Sequence, residues 1–181
     1  MVGPAGADGP LVIRAAGAGD ARGIAEAHVA SWRRAYVGLL PAAVLDGLSV
    51  EQRARHWDRV LVEGPPGRVV VAERSGRVVG FAHVGPAHDT DTGVTTGQLG
   101  TLYLHPDEWG RGVGTRVHDA GLERLAADGF DRAVLWMLST NARAARFYDR
   151  RGWERDGRIR VQQFGGAVVI DHRYSRDLRP G

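Results

Sequence analysis

Residues 102–117, "LYLHPDEWGRGVGTRV", decide the fold because they join a strand pattern to a helix pattern through three closely spaced glycines. Apolar residues at helical spacing predict a helix over 112–129, directly after a strand that ends at a proline. Gly110, Gly112 and Gly114 lie where the chain passes from this strand into the helix. The amides and the dipole of a helix N-terminus attract negative charge, and glycine lets an anion approach the backbone. The turn therefore predicts a phosphate site, or else a tight connection without a ligand.

Two well-known nucleotide motifs do not fit this turn. A P-loop requires a lysine, and all 24 basic residues of this chain are arginines. A dinucleotide fingerprint requires G-x-G-x-x-G, whereas the third glycine here comes one residue early. Arg111 adds a positive charge beside the glycines and Thr115 adds a hydroxyl. An anion at this turn is therefore expected to be held by main-chain amides together with these two side chains.

The patterns on either side of the turn predict an α/β protein with one mixed sheet and helices on both faces. We expect strands or hairpins at 11–16, 68–85, 98–106, 130–138 and 158–175, and helices at 19–41, 49–61, 112–129 and 139–152. Residues 86–97 are predicted to form a polar loop. Residues 11–178 are expected to be a single domain, preceded by a flexible segment at 1–10 without the features of a secretion signal.

Composition excludes several functional classes. Of the 181 residues, 43% are hydrophobic and 25% are charged, which is typical of a globular protein. No apolar run approaches the ~18 residues that cross a bilayer. The absence of cysteine excludes disulfides, thiolate metal sites and a cysteine nucleophile. The net charge of +3 suits an anionic ligand but is too small to indicate nucleic acid. We therefore expect a cytoplasmic protein without a metal, a membrane or a nucleic-acid partner.

Two blocks of this sequence resemble the GCN5-related N-acetyltransferases, the GNAT superfamily. Residues 102–117 resemble the signature that follows the family's central strand and opens a helix, and 139–153, "STNARAARFYDRRGW", resemble its next block. The early "SWRRAYVGLLP", 31–41, is also similar to many bacterial members. The resemblance extends from about 11 to 178. It implies the acyl-CoA N-acyltransferase fold, with a mixed, mostly antiparallel sheet flanked by helices and a splayed parallel strand pair at the cofactor site.

The resemblance also implies a co-substrate, acetyl-CoA, and the residues that hold it. The glycine turn would bind the pyrophosphate, the preceding strand would pair through its main chain with the pantetheine arm, and the second block would contribute an asparagine. The expected cofactor-binding residues are Leu102, Tyr103, Leu104, Trp109, Gly110, Arg111, Gly112, Val113, Gly114, Thr115, Asn141, Arg143 and Ala144.

Trp109 departs from the family, which usually has arginine or glutamine at this position. An indole cannot supply that charge or carbonyl, so Arg111 is expected to compensate while Trp109 packs under the loop. We therefore predict that Arg111→Ala weakens acetyl-CoA binding more than Trp109→Gln does.

Two catalytic roles are expected for an amine acceptor. Asn141 and Tyr148 are two helical turns apart and share one face, and the resemblance implies that Tyr148 protonates the departing thiolate. Without a cysteine, direct transfer is favoured over an acyl-enzyme. A base must take the proton of the amine, but Gln98 stands where many members have a glutamate. His83 is the leading candidate for that base; the others are Glu26, His28, Asp89 and Asp91.

The acceptor pocket is expected between the first helical region and the final hairpin. Aromatic and acidic groups would suit a cationic amine, and the candidates are Trp32, Tyr36, Asp89, Asp91, Gln163 and Phe164. The leading hypothesis is an N-acetyltransferase of a small-molecule primary amine. Two alternatives stay open: an acetyltransferase of protein N-termini or side chains, and a degenerate member that binds acetyl-CoA as a sensor or interaction module. The terminal strands leave both a monomer and a homodimer open.

Overall fold

A computed structural model describes residues 9–65 and 67–179 of the chain. Within this part there are seven strands and five α-helices. The strands and four of the helices follow the predicted order, and the fifth helix, the short α2, is additional. The strands are β1 Leu11–Ala15, β2 Val69–Arg74, β3 Arg77–Pro86, β4 Thr96–Leu104, β5 Arg132–Leu138, β6 Glu154–Phe164 and β7 Ala167–Asp177. The helices are α1 Ala21–Ala35, α2 Ala42–Asp46, α3 Val50–Glu63, α4 Val113–Ala127 and α5 Ala142–Asp149. Most of the predicted segment 1–10 lies outside the described residues.

The seven strands form one sheet in the order β1-β2-β3-β4-β5-β7-β6. Antiparallel registers join β1 to β2, β2 to β3, β5 to β7 and β6 to β7. The parallel register between β4 and β5 is short. It pairs Thr96, Gly97 and Gln98 with the start of β5, so it covers three of the nine residues of β4 and three of the seven residues of β5. The mixed, mostly antiparallel sheet with a parallel pair that covers only part of its two strands confirms the predicted fold class.

The main difference from the predicted elements lies in the first helical region. The helix predicted over 19–41 ends at Ala35, and a separate helix, α2, begins after Pro41. Gly38 adopts a φ of 76°, a left-handed conformation that an α-helix cannot contain. Pro41 carries no amide hydrogen and therefore suits a helix start rather than a helix interior. The periodic pattern continued across this break, which is why the sequence predicted one helix.

The described residues group into two compact units. The first takes its described residues from the stretches 9–32, 49–65, 67–83 and 101–121, and the second from 33–48, 84–100 and 122–179. In the first unit, one face of α1 packs with Trp57 and the inward side chains of β2 and β3, including the fully buried Ile24, Val71 and Phe81. In the second unit, Trp153 and Tyr174 are buried with the apolar residues of β5.

No helix in the described part of the chain is both long and apolar enough to cross a membrane. The longest have 15 residues, and both of these carry charged side chains.

Candidate functional site

The glycine turn in the first unit has the geometry of an anion-binding helix start. Gly110 and Gly112 have φ values of 76° and 78°, which side chains other than glycine rarely adopt. The helix α4 begins at Val113, and Arg116 donates its amide to the carbonyl of Gly112 at 3.3 Å as the helical ladder starts. In such a helix start the preceding amides face outward rather than into the ladder. Gly114 lies inside the first turn of α4.

Trp109 closes the loop that precedes these glycines. Its indole Nε1 donates to the carbonyl of Leu104, at the end of β4, over 3.2 Å. Between the two residues, Pro106–Glu108 form a 3₁₀ turn whose start is capped by the His105 side chain. The half-buried indole therefore ties the glycine turn to the strand before it, which is a role for Trp109 that needs no charge.

A buried ion pair supports the same turn, and sequence reasoning missed it. Glu108 is only 5% exposed and accepts two hydrogen bonds from Arg74, at 3.0 and 3.1 Å. The Nε of Arg111 lies 3.7 Å from the same carboxylate. A buried carboxylate needs such a partner, because an unpaired one is costly. The one signal in the sequence was an acidic residue directly before the tryptophan and glycines; its partner on β2 could not be identified from spacing.

The strand that leads into the turn packs closely on β3. Leu102, Tyr103 and Leu104 are all half-buried. A Cβ at Gly80 of β3 would lie 2.3 Å from a methyl of Leu104 and 3.2 Å from the carbonyl of Tyr103. Glycine is thus required at position 80 because β4 approaches the backbone of β3 closely there, and not because the chain turns. It was not recognised from the sequence, where it reads as part of a β-branched run.

Aromatic residues of the first unit surround His28 on α1, and we call this group the His28 cluster. The His28 ring stacks on Tyr103 with 4.9 Å between centroids and 19° between planes. The other members, Trp32, Trp57 and Phe81, have ring centroids 5.6 to 6.1 Å from His28. The Nε1 of Trp57 donates to Nδ1 of His28 at 3.3 Å. Because Nδ1 accepts, Nε2 carries the proton of a neutral imidazole.

Burial first, and then the charges of Arg53 and His56, lower the pKa of His28 to about 3. His28 is therefore neutral at physiological pH, with a proton rather than a lone pair on Nε2. That tautomer makes His28 a hydrogen-bond donor and a poor choice of general base.

His83, the leading candidate for the base, lies beside the same cluster. Its ring centroid is 5.9 Å from that of Trp57, and its position on β3 pairs with Val69 of β2. Burial, followed by the charges of Arg68 and His56, lowers the pKa of His83. A half-buried, neutral imidazole keeps one nitrogen lone pair, so His83 retains the chemistry that its predicted role requires.

The second unit contains α5, with Asn141 as its N-cap. The Asn141 side-chain oxygen accepts from the amide of Ala144 at 3.1 Å, which leaves the amide NH₂ as the group able to donate to a ligand. Tyr148, half-buried near the other end of the helix, makes an edge contact with Trp153 at 6.0 Å. Partial desolvation of its guanidinium, followed by the charge of Arg34, lowers the pKa of Arg143.

The two acidic candidates of the predicted polar loop, Asp89 and Asp91, are already engaged in the second unit. Arg173, 6% exposed, donates to both oxygens of Asp91 at 2.7 and 2.8 Å and to Asp89 at 3.3 Å. Its Nε donates to Asp156 at 2.7 Å, and the indole of Trp136 donates to Asp89 at 3.1 Å. We call this group the Arg173 network. The hydrogen bonds from Arg173 lower the pKa of Asp91 to about 2, which makes Asp91 a very weak base.

The remaining candidates fall at four places. Tyr36 accepts two main-chain hydrogen bonds as the chain leaves α1, and Gln163 and Phe164 end β6 at the tip of the final hairpin. A Cβ at Gly165 of that tip would lie 2.4 Å from Val44, so the tip packs on α2 within the second unit. Trp32 belongs to the His28 cluster of the first unit. Glu26, another base candidate, is on the surface in an ion pair with Arg22 at 3.2 Å.

The described residues contain no group of three or more histidine, cysteine or acidic side chains that could hold a metal ion.

Comparisons with known proteins point in one direction. The model of the acetyltransferase (GNAT) family matches residues 28–153. The N-acetyltransferase YuaI of Bacillus subtilis is 29% identical over 131 residues, covering 72% of this chain and 73% of YuaI. A mycothiol acetyltransferase of Acidimicrobium ferrooxidans is 34% identical over 88 residues, 49% of this chain and 28% of that protein. The structure of yncA from Salmonella typhimurium with its cofactor acetyl-CoA has a TM-score of 0.70 at 22% identity, covering 95% and 96% of the two chains.

Proposed function

This chain belongs to the GNAT acetyltransferase family, whose model matches more than two thirds of its length, and we propose that it transfers the acetyl group of acetyl-CoA to the primary amine of a small molecule. The observation that carries the proposal is the glycine turn. Its two left-handed glycines open a 15-residue helix directly after the strand β4, beside an arginine. The mycothiol acetyltransferase relative supports a small acceptor rather than a protein.

In this proposal the amides at the start of α4 bind the pyrophosphate, and Arg111 adds a positive charge. The ion pair between Glu108 and Arg74 holds the turn in place, and Trp109 ties it to β4. The main chain of Leu102–Leu104 and the side-chain amide of Asn141 bind the pantetheine arm. These groups fit an anionic, extended co-substrate because they combine a helix N-terminus with main-chain donors and acceptors.

Acetyl-CoA supplies an acetyl thioester, whose carbonyl carbon is attacked by the lone pair of the amine. The new C–N bond replaces the C–S bond, so one proton must leave the nitrogen and one must reach the sulfur. His83, neutral and half-buried, accepts the first proton, directly or through a water molecule. The hydroxyl of Tyr148 donates the second. Each group then exchanges its proton with solvent before the next turnover.

Thiol release from acetyl-CoA tests the proposal directly, because the chain has no cysteine and a thiol reagent reports only coenzyme A. We expect turnover on part of a panel of small primary amines and little on peptides. Tyr148→Phe, which keeps the edge contact with Trp153, is expected to lower kcat about 100-fold while the Kd for acetyl-CoA changes little.

His83→Ala is the second arm of this test. At saturating amine we expect a lower kcat and the loss of the acid limb of the pH–rate profile, since the variant has no imidazole to titrate. An unchanged rate and profile would remove His83 from the mechanism. Tight acetyl-CoA binding without turnover on any amine or peptide would instead favour the sensor hypothesis, which the glutamine at position 98 keeps open.

A further inference from the structure

The His28 cluster contains polar hydrogen atoms that nothing in the described chain accepts. His28 is 5% exposed, and its Nε2 has no hydrogen-bond partner among the described residues. The hydroxyl of Thr101 on β4, two residues before Tyr103 and therefore on the same face of the strand, is likewise buried without a partner. A buried polar group without a hydrogen-bond partner destabilises the fold. Two such groups on one face indicate a place prepared for a ligand.

Two arginines add positive charge to the same neighbourhood. The guanidinium of Arg53 on α3 lies 5.8 Å from the ring centre of Trp32. Arg68 directly precedes Val69, the residue that pairs with His83, and its Nε is buried without a hydrogen-bond partner. Neither arginine takes part in an ion pair within the described residues, although most buried or half-buried charges in proteins are paired. Burial first, and then the charges of Arg53 and Arg68 respectively, lower the pKa values of His28 and His83, which agrees with this placement.

We propose that the His28 cluster, with Thr101, Arg53 and Arg68, binds an anionic oxygen group, a carboxylate, on the acceptor amine. Nε2–H of His28 and the hydroxyl of Thr101 would donate to its oxygens, and the two arginines would supply its counter-charge. Charge-assisted bonds to carboxylates are the strongest that such groups make. This inference rests on the proposed function and narrows it: the acceptor is an amino acid or a similar amino-carboxylate, rather than a polycationic amine.

The alternative interpretation of the His28 cluster is an ordinary aromatic core, in which the imidazole N–H of His28 points at a ring face. That reading accounts for His28 alone. It gives no partner to Thr101 or to the Nε of Arg68, and it leaves two half-buried guanidinium groups without a counter-charge. In our proposal, one anionic ligand gives a partner to each of these groups.

The experiment compares acceptors that differ only in charge. A series of ω-amino carboxylic acids and their neutral amides, such as 4-aminobutanoate and 4-aminobutanamide, keeps the amine nearly constant. With the wild-type protein we expect kcat/KM to be at least about tenfold higher for the acid of the best chain length. Arg53→Gln and Arg68→Gln are expected to reduce this preference to about twofold or less, through KM and with the Kd for acetyl-CoA unchanged.

Arg55→Gln is the matched control, since it removes one charge from an exposed position on the same helix, and it is expected to keep the preference. His28→Phe removes the donor at similar volume, and His28→Gln retains an N–H. Of these two variants, we expect only His28→Phe to lose the preference for the acid over the amide. If His28→Phe fails to fold, the two arginine variants decide the question.

Calorimetric titration of the acid and the amide separates this inference from the proposed function. Equal binding and equal rates for the two would overturn the anion site while leaving an acetyltransferase. Binding of the acid that depends on Arg53 and Arg68, without acetylation, would support the site and overturn the proposed activity.

Discussion

The His28 cluster and the Arg173 network solve the burial of polar groups in opposite ways. In the second unit, three carboxylates accept hydrogen bonds from the one buried guanidinium of Arg173. The indole N–H of Trp136 donates to one of these carboxylates, that of Asp89. Among the described residues of the first unit, the buried N–H of His28 has no acceptor, and neither Arg53 nor Arg68 has an acidic partner. The difference teaches that charge type alone does not identify a binding site. Asp89 and Asp91 looked suited to a cationic amine, yet their charges are already used.

The largest expected effect is the loss of stability when the Arg173 network, in which each carboxylate is paired, is broken. Arg173→Met would leave Asp89, Asp91 and Asp156 without their common partner, and breaking a buried ion pair from one side costs about 3–5 kcal/mol. These carboxylates are 15 to 31% exposed, which places the expected loss near the lower end, about 3 kcal/mol. Urea unfolding followed by tryptophan fluorescence measures it.

Arg158→Gln provides the control, since Arg158 pairs with Asp91 at 2.9 Å but is 60% exposed. Its loss is expected to cost less than about 1 kcal/mol. Equal destabilisation by the two variants would show that the Arg173 network is no more than a set of surface pairs.

The stability of the protein as a function of pH tests the His28 cluster, the other group in this comparison. The folded pKa of His28 is about 3, below its unfolded value of roughly 6.5. Between these values the unfolded state binds the extra proton, so acidification destabilises the fold by up to about 1.4 kcal/mol per pH unit from this residue. We expect the stability advantage of wild type over His28→Gln to shrink as the pH falls from 6.5 to 5.

A constant difference between wild type and His28→Gln over this range would show that His28 is hydrated, or already protonated, in the folded protein. His56 and His83 titrate in both proteins, so their contributions cancel in the comparison. An amino-carboxylate that raises the Tm of wild type and of His28→Gln, but not that of His28→Phe, would link the same residue to the proposed anion site.

The smallest expected effect is on acetyl-CoA binding at the glycine turn, where the carboxylate of Glu108 is already paired with Arg74. Arg111→Ala is expected to weaken acetyl-CoA binding about tenfold, because it removes a charge beside the pyrophosphate. Trp109→Gln should weaken it less, since the indole serves through its bond to the carbonyl of Leu104. Calorimetric Kd values for both variants decide this, and the reverse order would show that Glu108 neutralises Arg111 at 3.7 Å and that Trp109 is the more important residue.

Much of the fold was predictable because it depends on patterns of residues that lie close together in the chain. The glycine turn, the strand before it and the helix after it lie within one stretch of 16 residues, and hydrophobic periodicity marks most other elements. The break between α1 and α2 was not predicted, because the periodic pattern runs on while the backbone turns at Gly38. Residues with a local role, such as Asn141 as an N-cap, follow from position alone.

The sequence by itself determined the family, the order of the elements and the turn that suits an anion, since each depends on residues close together in the chain. Only the tertiary structure decided which charged groups remain available. The partners of Glu108 and Asp91 lie 34 and 82 residues away, and the neutral state of His28 depends on burial by aromatic residues from three other elements. Pairing and desolvation are set by distances in space, and no local spacing encodes them.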